Sequence, residues 1–152
     1  MSLRHTNPKA MRVIRNAKHD ERGQALTEFA VILPVLLLVL FAIFQFGVIF
    51  NNYIEVSAAA REGARKGVVS RNAGNCTYVA GPTGLAATAA RNAAPGLNQT
   101  KTTVTVNYTC TNNSLAPGTD LKVTVSYPWS VSLLGAVVAS GNMTSSTTMR
   151  VE

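Results

Sequence analysis

The most demanding residue in the chain is a carboxylate set near the front of an apolar run. From Ala25 to Phe50 only Thr27, Glu28, Gln45 and Gly47 interrupt apolar side chains and a single proline, Pro34. A carboxylate inside a membrane-length helix costs about 2.5–3.5 kcal/mol at mid-bilayer, less near an interface, and is usually kept for a partner. Glu28 therefore calls for a cation. Were the chain cut after Gly23, the new α-amino group of Gln24 would supply one, four residues away and at the start of the helix. Such a pair can form within one chain or between neighbours in an assembly. The competing reading is a first-turn acid favoured by the helix dipole, worth about 0.3–1 kcal/mol.

Other chemistry is sparse. Both histidines, His5 and His19, lie before Gly23, so the chain beyond that point has no imidazole to act as base or metal ligand. Beyond Glu28 the acids are Glu55, Glu62, Asp120 and Glu152, with no pair at a diagnostic spacing. There is no phosphate-binding glycine loop. An enzyme is therefore not expected, nor a cofactor, nor a metal site. The two cysteines, Cys76 and Cys110, read as one disulfide in an oxidising compartment or as two free thiols; a bond would close a 34-residue separation and add roughly 3–4 kcal/mol in the chain-entropy model.

The elements that position these residues follow from composition. The 152 residues are 47% hydrophobic, enough for one membrane helix and one small domain. The apolar run exceeds the roughly 20 residues that cross a hydrocarbon layer. Of the formal charge of +7, the leader to Gly23 holds +4, from Arg4, Lys9, Arg12, Arg15, Lys18 and Arg22 against Asp20 and Glu21. Basic residues on one side of an apolar span put that side in the cytoplasm. The remaining +3 is too modest for a nucleic-acid surface. The expected organisation is a cleaved basic leader, residues 1–23; a long helix, 24–70, membrane-spanning to about residue 50; and a small extracytoplasmic domain, 71–152. Cleavage after Ala58-Ala59-Ala60 is the secretory alternative, but the apolar run is well beyond the 7–15 residues of a signal peptide's core.

Good helix formers continue from residue 53 to 67, with Glu62 and Lys66 as an i,i+4 pair and Arg65, Lys66 and Gly67 as a closing turn and cap. The predicted helix runs from about Ala25 to about Val69, with Pro34 kinking it or loosening one turn. Ala59, Gly63 and Gly67 recur every four residues and admit a close neighbour: either other helices in a filament core or the chain's own domain.

Beyond Gly67 an α+β domain is expected. Thr83 is a candidate cap for a short helix from Gly84 to Ala94. Alternation predicts strands over Thr103–Cys110 and Leu121–Tyr127, with a weaker one near Asn142–Val151, giving an antiparallel sheet of about three strands. Between the last two, Pro128-Trp129 and Val131 to Ala139 read as an apolar loop or short helix. This segment either covers the sheet or, through Trp129, Leu133 and Leu134, docks a neighbouring subunit.

The residues around the carboxylate also resemble a known family. Gly23, four residues, then Glu28-Phe29 resembles the cleavage motif of type IV pilin-like precursors. The wider stretch is similar to the TadE-like proteins of tight-adherence pili, from Arg22-Gly23-Gln24-Ala25 through Glu28-Phe29-Ala30, Leu33-Pro34 and Phe46-Gly47 to Ala59-Ala60-Arg61-Glu62-Gly63-Ala64-Arg65. One departure is Gln45, where the family commonly carries a second acid. The resemblance implies a minor pilin, or pseudopilin, cut by a prepilin peptidase between Gly23 and Gln24. Its implied partners are other pilin-like subunits, the inner-membrane pilus assembly platform and the lipid bilayer, with no nucleic acid. The implied location is the cytoplasmic membrane, single-pass, with incorporation in a pilus open. Rival expectations are a major filament subunit and a signal-anchored extracytoplasmic binding domain.

Overall fold

The structure is a computed structural model and describes residues 21–73, 75–133 and 135–152. The leader up to residue 20, and Leu134 of the expected docking patch, lie outside the described residues.

Helix α1 spans Glu21–Val69 and passes through Pro34 without a break in helical assignment. It starts earlier than the Ala25 expected, so Gly23 and Gln24 are themselves helical. Internal packing divides the chain between Leu40 and Phe41 into two compact units. The described part of the first is helix alone, and every side chain from Gln24 to Leu40 except Leu33 is exposed. The second unit contains the rest of α1 and the whole globular domain.

In that second unit α1 has a covered face. Gln45, Ile49, Asn52, Val56, Ala59, Gly63 and Gly67 follow one another at three- or four-residue steps, partly covered at the first three positions and buried at the last four. What covers them is the chain's own domain. A Cβ built on Gly63 would stand 2.9 Å from Ala90 Cβ, 3.0 Å from the Ala86 carbonyl oxygen and 3.1 Å from Val123. One built on Gly67 would meet Leu121 at 3.1 Å and Ala86 at 3.2 Å. Of the two neighbours expected for the small-residue face, the one found is the chain's own domain. Gly67 is consequently an interior helix position that admits Leu121, not a cap.

Two short helices follow. Asn75 caps α2, Cys76–Ala80, its side-chain oxygen accepting from the Tyr78 amide at 2.7 Å. Helix α3 is Leu85–Asn92, with Gly84 at its N-cap and no side-chain cap, so the expected Thr83 cap is not used. Thr83 instead accepts a bond from Thr88 Oγ1 through its backbone carbonyl. The buried face of α3 is Ala86, Ala87 and Ala90, small against small, which is how two backbones approach closely.

The sheet is β1–β4–β5, antiparallel throughout, with β1 Thr103–Asn107, β4 Asp120–Leu133 and β5 Ala136–Arg150. Leu121, Val123 and Val125 are fully buried, each contributing about 1.5–3 kcal/mol of hydrophobic free energy. On β5, Met143, Ser145, Thr147 and Met149 all point to the core side and Val151 continues it beyond the strand. The first strand ends three residues earlier than expected. Cys110 instead enters a separate two-stranded ribbon, β2 Cys110–Thr111 with β3 Ser114–Leu115. Its two-residue turn, Asn112 and Asn113, has φ of 50° and 62°, the paired left-handed conformations of a type I′ hairpin that asparagine tolerates. The ribbon is tied to α2 twice: the Cys76 amide donates to the Asn113 carbonyl at 3.1 Å, and Cys76 and Cys110 form a disulfide with Cα atoms 6.2 Å apart.

The largest departure is in residues 128–133 and 136–139, which are strand and neither loop nor helix. Pro128 pairs with Asn142, Trp129 with Gly141 and Leu133 with Ala136, so β4 and β5 continue past the end of β1 as a two-stranded arm. The register shifts between Val131 and Ser132, which leaves Val138 as an extra bulged residue. Pro128 is tolerated because β1 stops pairing at Ser126, and beyond it β4 has one neighbour only.

Candidate functional site

The candidate site occupies the first turns of α1. Gln24 and Glu28 lie one turn apart on the same face, and the Gln24 side-chain amide donates to Glu28 Oε1 at 3.1 Å. Thr27 Oγ1 donates to the Gln24 carbonyl at 2.7 Å. Thr27, Glu28, Val31 and Ile32 line a shallow hollow on the helix surface. Among the described residues no cation reaches Glu28; its carboxylate is met by a neutral amide alone. The site is surrounded by exposed apolar side chains, Phe29 at 58% and Val31 at 74% exposure among them. An acid in such a setting, carried on a helix of mean hydropathy 2.8 over its most apolar window, is of the kind usually kept for a charged partner.

Further along, the other expected site residues serve the chain itself. Pro34 is an exposed interior residue of α1. Ala59, Gly63 and Gly67 are buried by the domain, and Cys76 and Cys110 staple α2 to the ribbon. Glu62 pairs with Arg65 rather than with Lys66: both guanidinium contacts are short, 2.9 Å from Nε and 2.6 Å from NH2. The fork of arginine engages both carboxylate oxygens, which a lysine cannot do. That hydrogen bonding to Arg65 holds the Glu62 carboxyl below its ordinary value and raises the guanidinium in turn.

One positioning residue was not foreseen. The half-buried Glu55 accepts from the Gly96 amide at 2.9 Å and from Asn51 Nδ2 at 3.4 Å, and so fastens the turn after α3 to α1. A side chain on Gly96 would collide with that carboxylate. The signal available in sequence was the Pro95-Gly96 turn itself, which names a tight bend and not its partner.

Comparison with known proteins bears on the helix. A family model described as TadE-like protein matches residues 23–65. The chain is TadE-like over this stretch. The TadE-like segment begins at Gly23 and takes in Gln24, Glu28, Pro34, Ala59 and Gly63; the rest of the globular domain lies beyond it. TadE-like proteins are pilin-like, related to the tight-adherence pilus, and structural rather than enzymatic. No curated protein and no solved structure matches the chain.

Proposed function

We propose that this chain is a membrane-inserted, pilin-like subunit that a prepilin peptidase cuts between Gly23 and Gln24, and that it acts as a minor subunit in initiating or stabilising a tight-adherence pilus. The observation that carries this reading is the TadE-like match starting at Gly23, joined to an exposed acid, Glu28, on the same helical face as Gln24. Cleavage turns the Gln24 amide nitrogen into an ammonium group. The carboxylate then has a cation of its own chain or of a neighbouring subunit, and a charge pair in low dielectric sets the register in which apolar helices pack. The leader's positive charge keeps the cut site on the cytoplasmic face, the domain emerges outside, and the assembly platform in that membrane receives the exposed first half of α1.

Three measurements test this. The protein extracted from membranes is expected to begin at Gln24 by intact mass and terminal sequencing; a start at Met1 or Ser2 would favour an uncut, signal-anchored binding domain, and a start at Arg61 a secreted head. Glu28→Gln is expected to insert normally and to abolish pilus assembly. Unchanged assembly in that variant would overturn the register mechanism. Abundance in sheared filaments separates a minor from a major subunit.

A further inference from the structure

Among the described residues of its own unit, the β4–β5 arm has no partner that accounts for its composition. From Val123 to Met149 the chain contains no Asp, Glu, Lys or Arg. Beyond Trp129 one face of the arm is apolar, Val131 pairing with Ala139 and Leu133 with Ala136; the other carries the uncharged Ser130, Ser132 and Ser140, and near the tip Val137 and the bulged Val138 are 64% and 61% exposed. A two-stranded ribbon is marginal in water, and this one ends in its least water-compatible residues.

Its position along α1 is fixed at three points. Leu121 lies against Gly67, Val123 against Gly63, and the Ser132 carbonyl accepts from Gln45 Nε2 at 3.5 Å, the outer limit of hydrogen-bond range. The 22 helical residues from 67 down to 45 rise about 33 Å, and the 11 strand residues from 121 to 132 extend about 36 Å, so β4 follows α1 down to Gln45. Gln45 is the first polar residue of the helix after Glu28. Beyond Gln45 the apolar run continues only to Phe50. The tip of the arm therefore lies beside the last turns of the apolar run.

We propose that the arm tip, Val131 to Ala139, inserts into the outer interface of the bilayer beside α1, as a second and shallow anchor for the domain. Trp129 stands about 10 Å up the strand from Ser132, at headgroup height, where an amphipathic indole is favoured. It lies over Gly141, its cross-strand partner, with the indole nitrogen 3.2 Å from where a Cβ would be. Uncharged strands with valine at the tip suit lipid; a protein interface would be expected to add charge or hydrogen-bonding specificity at its rim. This inference rests on α1 crossing a membrane and does not depend on peptidase cleavage or on a pilus.

The test uses the full chain in phosphatidylcholine vesicles whose acyl chains carry bromine, a contact quencher of indole. Trp129 is the one tryptophan of the sequence, so a Trp129→Phe background is dark. Into it go Phe44→Trp as a helix probe and, separately, Val138→Trp as a tip probe. Both are expected to lose emission in brominated lipid, and the tip probe to shift to shorter wavelength. A quenched helix probe with an unquenched tip probe would overturn the inference and leave the span intact. If neither is quenched, the span falls and the inference with it. Shielding of the tip that grows only as protein is concentrated in the lipid would assign the tip to a second copy and also overturn it. Should the substituted chains fail to fold, the unmodified chain still decides: a nitroxide on the lipid headgroup must quench Trp129, and lack of quenching rejects the proposal.

Discussion

The two halves of α1 share a helix but not a reason for being one. In the first, Gln24 to Leu40, apolar side chains face outward all round, and nothing described in that unit covers them. In the second, a single stripe from Gln45 to Gly67 is covered and the opposite face stays exposed. Among the described residues nothing inside the first unit accounts for the apolar character of the first half. The second owes its small residues to what lies within it. Ala59, Gly63 and Gly67 look like a helix-bundling motif, yet they are spent on α3 and β4.

The comparison is broken most directly by filling the covered stripe. Gly63→Leu is expected to lower the domain's stability by about 1–3 kcal/mol or to prevent folding, because Ala90, the Ala86 carbonyl and Val123 leave no volume. Gly47→Leu, with nothing within 4 Å, is expected to leave it unchanged. Denaturation followed by Trp129 emission in detergent separates the two. Next in size is Glu55→Ala, which strands the Gly96 amide and is expected to cost about 1 kcal/mol in the same assay, the carboxylate being only half buried. The smallest effect sharpens the comparison on the exposed face. Glu62 has its carboxyl lowered from 4.5 by Arg65, so its contribution is present above that pH and fades as acid protonates it below. Denaturation curves of Glu62→Gln and the unmodified chain are expected to differ slightly at neutral pH and to converge as the pH falls below 4.5.

Much of this was legible in the sequence because period and burial agree. The apolar run announces α1, and the four-residue spacing of Ala59, Gly63 and Gly67 announces a close neighbour. The odd-numbered apolar residues from Leu121 to Tyr127 announce the core face of β4. That parity continues through Trp129, Val131 and Leu133, with Ser130 and Ser132 between, so the arm was written in the same code. Pro128 hides it, because a proline reads as a strand end when the number of neighbouring strands is unknown. Helix α2 and the Asn112-Asn113 turn escape for the opposite reason: they are too short for periodicity, and a cap or turn residue must be judged alone. Thr83 and the Glu62–Lys66 pair fail as local rules do, since Gly84 and Arg65 offered better geometry next door. The Glu28 site is legible in residue type and spacing; a charged partner for it is not, because among the described residues only the neutral Gln24 amide reaches the carboxylate.

The parallel course of β4 and α1 also makes the strand a ruler. One strand residue advances about 3.3 Å and one helical residue about 1.5 Å, so each residue of β4 is worth about two of α1. Lengthening the arm by two residue pairs would preserve which side chains face the helix yet carry the tip past more than a full helical turn. The reach of the arm along α1 is thereby set by the number of residues in a ribbon, and it changes in coarse steps while the helix itself stays the same length.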